Sequence, residues 1–192
     1  MLQELLERYQ IVLGSKSPRR QQFLKELNIP FTCRTTEVEE VYSNKLQKEQ
    51  ITSYLADLKS KHIAINNNEL LITSDTIVWS NNKALEKPSN TKEATQMLQQ
   101  LSGKWHQVIT SVKLTTTKHS KLFTDTTLVY FNKLDADEIS HYIQHYQPYD
   151  KAGSYGIQEW IGLIGVEKIE GSYTNVVGLP THKLYQELKN FL

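Results

Sequence analysis

Gly14-Ser15-Lys16-Ser17-Pro18-Arg19-Arg20 follows the apolar run Ile11-Val12-Leu13 and leads into a segment with helical spacing. A strand, a polar turn and a helix start, in that order, make an anion site, and the alternation of strands and helices continues along the chain. Ser17 suits the N-cap, where its hydroxyl accepts from a first-turn amide, and Pro18 suits position N1, where no amide proton is needed. Amides and the positive end of the helix dipole then face whatever lies over the turn. Arg19 and Arg20 are poorly placed for the dipole, since cations favour the other end. A bound anion gripped by planar guanidinium groups would account for them; a surface Arg pair after a proline is the plainer alternative.

The 192 residues make one domain or two closely joined lobes, enough to bury roughly 70% of the unfolded surface. Lys and Arg number 22 against 21 Asp and Glu, a net charge of +1. No global field draws such a chain to nucleic acid or to a membrane, so anion recognition has to be local. Nowhere does an apolar run reach the roughly 18 residues of a membrane span, and Met1-Leu2-Gln3-Glu4 lacks the pattern of a secretion signal. A cytoplasmic protein is expected. Cys33 is the sole cysteine, which excludes an internal disulfide and a multi-cysteine zinc site.

Phe23, Leu24 and Leu27 stripe the helix from Pro18, which Asn28 and Pro30 end; a strand runs from Phe31 to about Thr36. The acidic turn Glu37-Val38-Glu39-Glu40 is either a solvated edge or the holder of a divalent cation. Ile51, Tyr54, Leu55 and Leu58 predict a helix from Gln47 to about His62. The run Leu70-Leu71-Ile72-Thr73 leads through Ser74-Asp75-Thr76 to Ile77-Val78-Trp79, and an Asp inside an apolar strand is costly to bury unpaired. Asp75 is therefore either functional or satisfied by backbone amides at a bulge. Asn81-Asn82 marks a hairpin turn. Asn90 with Glu93 and Asp135 with Glu138 read as capping boxes opening helices, the first stopped by Gly103. Between those helices, His106 to Lys133 reads as a long hairpin. His141 and His145, four apart on the second helix, have the spacing of a metal pair without the Glu of a zinc-protease motif. Two glycine-bearing loops follow, 150–158 and 170–180, and Thr181 is expected to cap a last helix carrying Leu184, Leu188 and Phe191.

Strand ends thus offer Arg19, Arg20, Lys59 and Lys87 as cations and Glu40 and Asp75 as carboxylates. Separated opposite charges suit a polyphosphate with Mg²⁺ or Mn²⁺, one carboxylate orienting or deprotonating a water: hydrolysis of a phosphoanhydride. Neither a P-loop nor a Gly-x-Ser-x-Gly elbow is present.

Ser15-x-Ser17-Pro18-Arg19-Arg20, Asp75-Thr76, Glu86-Lys87-Pro88, Leu101-Ser102-Gly103, the stretch Asp150-Lys151-Ala152-Gly153-x-Tyr155-Gly156-Ile157-Gln158 and the stretch Glu170-Gly171-Ser172-Tyr173-x-Asn175-Val176-Val177-Gly178-Leu179-Pro180 resemble, in order and over nearly the whole chain, the Maf family of nucleoside triphosphate pyrophosphatases. The resemblance implies a single domain over 1–192 with an α/β, Maf/ITPase-like fold: an elongated mixed β-sheet flanked by helices, with a cleft between two lobes. It implies hydrolysis of a nucleoside triphosphate to the monophosphate and pyrophosphate with a divalent metal, in a homodimer. It makes Asp75 the proton acceptor, Glu40 and Asp75 the metal residues, and Ser15, Arg19, Arg20, Lys59 and Lys87 the phosphate binders, with Lys61 the neighbour competing with Lys59. Arg19, Thr76 and Gln158 fall on the positions for base choice, and the Thr and Gln resemble the dTTP and UTP branch. The family is also associated with septum formation and cell-division arrest, which leaves a non-catalytic nucleotide-binding regulator as the alternative.

Overall fold

The computed structural model describes residues 2–191, and the elements below are those of the described residues. In the first part of the chain come α1 (Leu2–Arg8), β1 (Gln10–Leu13), α2 (Pro18–Glu26), β2 (Phe31–Cys33), α3 (Glu49–Lys61), β3 (Glu69–Ser80) and β4 (Lys83–Leu85). There follow α4 (Thr91–Leu101), β5 (Trp105–Thr115), β6 (Ser120–Phe131), α5 (Ala136–Tyr146), α6 (Trp160–Gly165), β7 (Val166–Glu170), α7 (Tyr173–Val177) and α8 (Thr181–Lys189). The strands form one seven-stranded mixed sheet in the order β2-β1-β3-β5-β6-β7, with β4 added to β3. β1 runs parallel to β2 and β3, with Val12 opposite Thr32 and Leu71, whereas β4 and β7 pair antiparallel with β3 and β6. Helices flank the sheet, which is the α/β architecture expected.

The chain divides into two compact units, one of residues up to 75 with 110–125 and from 178, the other of residues 76–109 and 126–177. The division falls inside β3, β5 and β6. The first unit packs Leu5, Ile11, Leu13, Leu24, Leu70, Ile72, Val112, Leu184 and Leu188 into one cluster. The second packs Leu85, Leu98, Leu101, Val108, Phe131, Ile139, Tyr142, Tyr155 and Ile161.

Local chemistry explains where the expected boundaries moved. Asn28 adopts a left-handed φ of 53°, which ends α2 as anticipated. β2 stops at Cys33 rather than near Thr36, although Arg34 N still donates to Leu13 O at 3.1 Å. α3 starts at Glu49, and Tyr54 is 41% exposed instead of joining its buried stripe. Asp135 forms the complete capping box of α5. At α4 the box is half formed: Asn90 accepts from Glu93 N at 3.0 Å, but the Glu93 carboxylate takes Ser89 N at 2.8 Å. Pro180, not Thr181, takes the N-cap of α8. Ser17 does sit at the N-cap of α2, with Pro18 at N1, yet its hydroxyl makes no cap bond. The Ser17 N–H itself donates to Ser15 Oγ at 3.2 Å.

Arg34, just past the end of β2, and Glu69, at the start of β3, form a forked ion pair. Arg34 donates from Nη1 and Nη2 to the two oxygens of Glu69 at 2.8 and 2.7 Å, and Glu69 also accepts Asn66 N at 2.8 Å. The guanidinium, then the Asn66 amide, hold the Glu69 carboxyl down to about 2 from an ordinary 4.5. A depressed carboxyl supports the fold fully above its unfolded value and loses that support as the pH falls through its folded one. In urea titrations the wild-type protein should therefore exceed Glu69→Gln in stability at pH 7, and the difference should vanish between pH 4.5 and about 2.

Candidate active site

The turn after β1 is set by Gly14. Its N–H donates to Ile72 O at 2.8 Å, and a Cβ there would lie 2.7 Å from the Thr73 methyl and 2.9 Å from Ile63 Cδ1. Only glycine lets β1 run this close to β3 before the chain turns into Ser15 and α2. Arg20, in the first turn of α2, does not point away from the protein. Its Nε donates to Gly178 O at 2.8 Å, and its Nη1 donates to Ser15 Oγ at 3.2 Å and Ser74 O at 3.1 Å. The arginine that looked misplaced on dipole grounds is accounted for by these three acceptors, which tie the turn, β3 and the chain at Gly178. Arg19, beside it, is half-buried.

Asp75 is 7% exposed within β3. Its partner is Lys59 on α3, whose Nζ lies 2.6 Å from Asp75 Oδ1 and 3.1 Å from Glu40 Oε2. Burial pushes the Asp75 carboxyl above its ordinary value, outweighing Lys59 and Arg20, which favour the charged form, while Glu40 adds to the rise. A carboxylate shifted in that direction is better suited to accepting a proton near neutral pH. Lys61 is not the residue at this point: it is 68% exposed and pairs with Asp57 at 2.6 Å. Asp57 also holds Lys113 of β5. Thr52 meets Ser111 at 2.6 Å, and Thr73 Oγ1 donates to Ala56 O at 2.8 Å. Thr52, Ala56 and Lys59 thus form the side of α3 that meets the sheet.

Glu40 and Asp75 fit a hard divalent cation by donor chemistry, because Mg²⁺ and Mn²⁺ take one or two carboxylates and complete their shell with phosphate and water. Two oxygens already converging on one cation are such a set. No protein cage accompanies them: among the described residues no three His, Cys, Asp or Glu gather at a metal-binding spacing. His141 and His145 are no exception. Their rings stack at 4.2 Å, the His145 Nδ1 is engaged by His141 O at 2.8 Å, and His141 also lies 4.8 Å from the Trp160 ring.

The remaining site residues, Thr76, Lys87 and Gln158, belong to the second unit, Thr76 directly following Asp75 along β3. Lys87 and Gln158 are both exposed and stand at the ends of one braced assembly. Gly153, with φ 67° and no room for a Cβ beside Val78 at 2.7 Å, donates to Glu86 O at 3.2 Å. Lys151, 8% exposed, bridges Asp150 at 2.7 Å and Glu159 at 3.0 Å. The Tyr142 hydroxyl donates to Glu159 and accepts Gly156 N at 3.0 Å. Beneath them Tyr155 shares a 2.8 Å hydrogen bond with His106, which burial pushes down to about 3 and so keeps neutral. Glu159, Tyr142 and His106 carried no motif of their own.

A carboxylate buried in the middle of β3 and braced by a lysine, on an α/β sheet flanked by helices, is the feature the site is built on. The chain belongs to the Maf-like protein family, whose model matches residues 10–191. It is 52% identical to the dTTP/UTP pyrophosphatase of Christiangramia forsetii over 100% of this chain and 99% of that one. It is 53% identical to the dTTP/UTP pyrophosphatase of Bacteroides fragilis over 96% and 97%. Among solved structures, a HAM1 protein from Coxiella burnetii shares the fold, with TM-score 0.54 at 14% identity over 95% of this chain and 99% of that one. The Staphylococcus aureus Ham1 protein does so at TM-score 0.50 and 15% identity, over 93% and 99%.

Tyr142→Phe would leave a buried Gly156 amide and a Glu159 oxygen without their shared hydroxyl. Equilibrium urea unfolding should show a loss of about 1–3 kcal/mol.

Proposed function

We propose that this chain is a nucleoside triphosphate pyrophosphatase that converts dTTP and UTP to the monophosphate and pyrophosphate, with Asp75 as proton acceptor. The observation that carries the reading is a carboxylate buried within β3 that Lys59 Nζ meets at 2.6 Å. About half identity to pyrophosphatases over the full chain supports it. Water attacks the α-phosphorus while Asp75 takes its proton; the bond from that phosphorus to the bridging oxygen breaks, and pyrophosphate leaves. Ser15, Arg19, Arg20, Lys59 and Lys87 hold the phosphates, Arg20 chiefly through its charge because its Nε and Nη1 serve the fold. Glu40 and Asp75 would hold the Mg²⁺ or Mn²⁺, which when bound spreads the charge that develops on the phosphates. Arg19, Thr76 and Gln158 select the base; a side-chain amide such as that of Gln158 can donate to a ring carbonyl and accept from the imide of uracil or thymine. Family likeness carries with it a cytoplasmic homodimer. Among the described residues no helix is long and apolar enough to cross a membrane.

Purified protein given dTTP or UTP with Mg²⁺ or Mn²⁺ should release monophosphate and pyrophosphate, and Asp75→Asn should lower kcat at least about 100-fold. Orthophosphate release, no turnover of any triphosphate, or an unimpaired Asp75→Asn would each sink the reading.

A further inference from the structure

The two carboxylates that would hold a divalent ion already share a cation, and it belongs to the chain. Lys59 Nζ is within hydrogen-bond distance of both, at 2.6 Å from Asp75 and 3.1 Å from Glu40. A divalent ion held by those same two carboxylates would compete with the ammonium for the space between them. Two cations cannot share that point, since a partly buried site screens their repulsion poorly. The ammonium also has a reason to be there: Asp75 is buried, and a carboxylate without a partner in such a place is expensive.

We infer that Lys59 occupies the cation position of Glu40 and Asp75 in the nucleotide-free protein, so that a divalent ion enters only as the ammonium swings off towards arriving phosphates. The inference rests on the function proposed above and concerns the order of events at the same site. Lys59 is equipped for such a move. It sits in the last turn of α3 on a flexible four-carbon stem, its side chain is 15% exposed, and Glu40, on the open side of the pair, is 45% exposed. Charge stays balanced throughout: the phosphates receive the ammonium, and the carboxylates receive the metal that travels with the nucleotide. The protein alone is then a poor metal binder, and the metal-bound state without substrate is avoided.

Mn²⁺ binding without nucleotide, followed by the loss of the free-ion paramagnetic resonance signal, tests this on the whole chain. Lys59→Gln, shown folded by its circular dichroism and melting, should bind Mn²⁺ at least about tenfold tighter than the wild type. Adding Glu40→Gln should abolish the gain. A phosphate-binding lysine with no hold on the metal position predicts no gain, so equal or weaker Mn²⁺ binding by folded Lys59→Gln overturns the inference. If that variant does not fold, wild-type protein decides: at Mn²⁺ concentrations high enough to fill the site by the resonance signal, the ion should compete the ammonium off and acylation of the Lys59 amine, read by mass spectrometry against the other lysines, should rise, and an unchanged rate at that occupancy overturns the inference. Nucleotide hydrolysis by the wild type tests the function separately, so either idea can fail alone.

Discussion

A carboxylate buried in the middle of a strand needs a cation beside it, and the pairing of Asp75 with Lys59 is the constraint that much of the first unit serves. To bring Lys59 over β3, α3 must lie close to the sheet along its last two turns. It does so with small and hydroxyl-bearing residues: Thr52, Ala56 and Ser60 are buried, and Thr52 and Thr73 make the hydrogen bonds across the seam. Larger side chains at these positions would hold the helix away and leave Asp75 without its partner. The polar seam therefore follows from the ion pair.

In the second unit the corresponding problem is to hold an irregular loop still. Residues 150–159 have almost no ladder of their own, and each buried polar group needs an individual partner. Lys151 with Glu159, Tyr142 with Gly156, and Gly153 with Glu86 supply them. Lys87 and Gln158, both exposed, adjoin that network along the chain.

How much of this was legible in the sequence depended on the kind of signal. Periodic apolar residues gave away α4 and α5, and cap chemistry located their starts, because those patterns are local. Asp75 stood out because a charge between apolar strand halves has few bland explanations. Lys59 was offered among the candidate cations but not as the partner of Asp75: the face that carries it reads Thr52, Ala56, Lys59, which hydrophobic spacing passes over in favour of Ile51 and Leu55. Tyr54, read as part of that stripe, proved exposed. α1, α6, α7 and β7 were missed, α7 inside the stretch read as a loop, the helices for their shortness and the strand because exposure along four of its five residues leaves little apolar alternation. The ties of Arg20 to Ser74 and Gly178 span 54 and 158 residues, beyond what any local pattern carries.

The choice of base at each ion pair follows from whether the cation has to stay. Arg34 is clamped by both oxygens of Glu69 and by Ala64 O, and Arg20 by three acceptors from separate segments. A planar guanidinium suits such fixed, many-handed joints, because each N–H meets its partner without further loss of freedom. At position 59 the chain places a lysine instead, between two carboxylates, on a stem that can turn without unmaking the helix. An arginine there would bind Asp75 and Glu40 more rigidly and make a better brace. It would also be slower to give way, and a site that must trade one cation for another is better served by the compact, rotatable ammonium. The distribution of arginine and lysine around Asp75 thus separates the parts of the site that hold the fold from the part free to move.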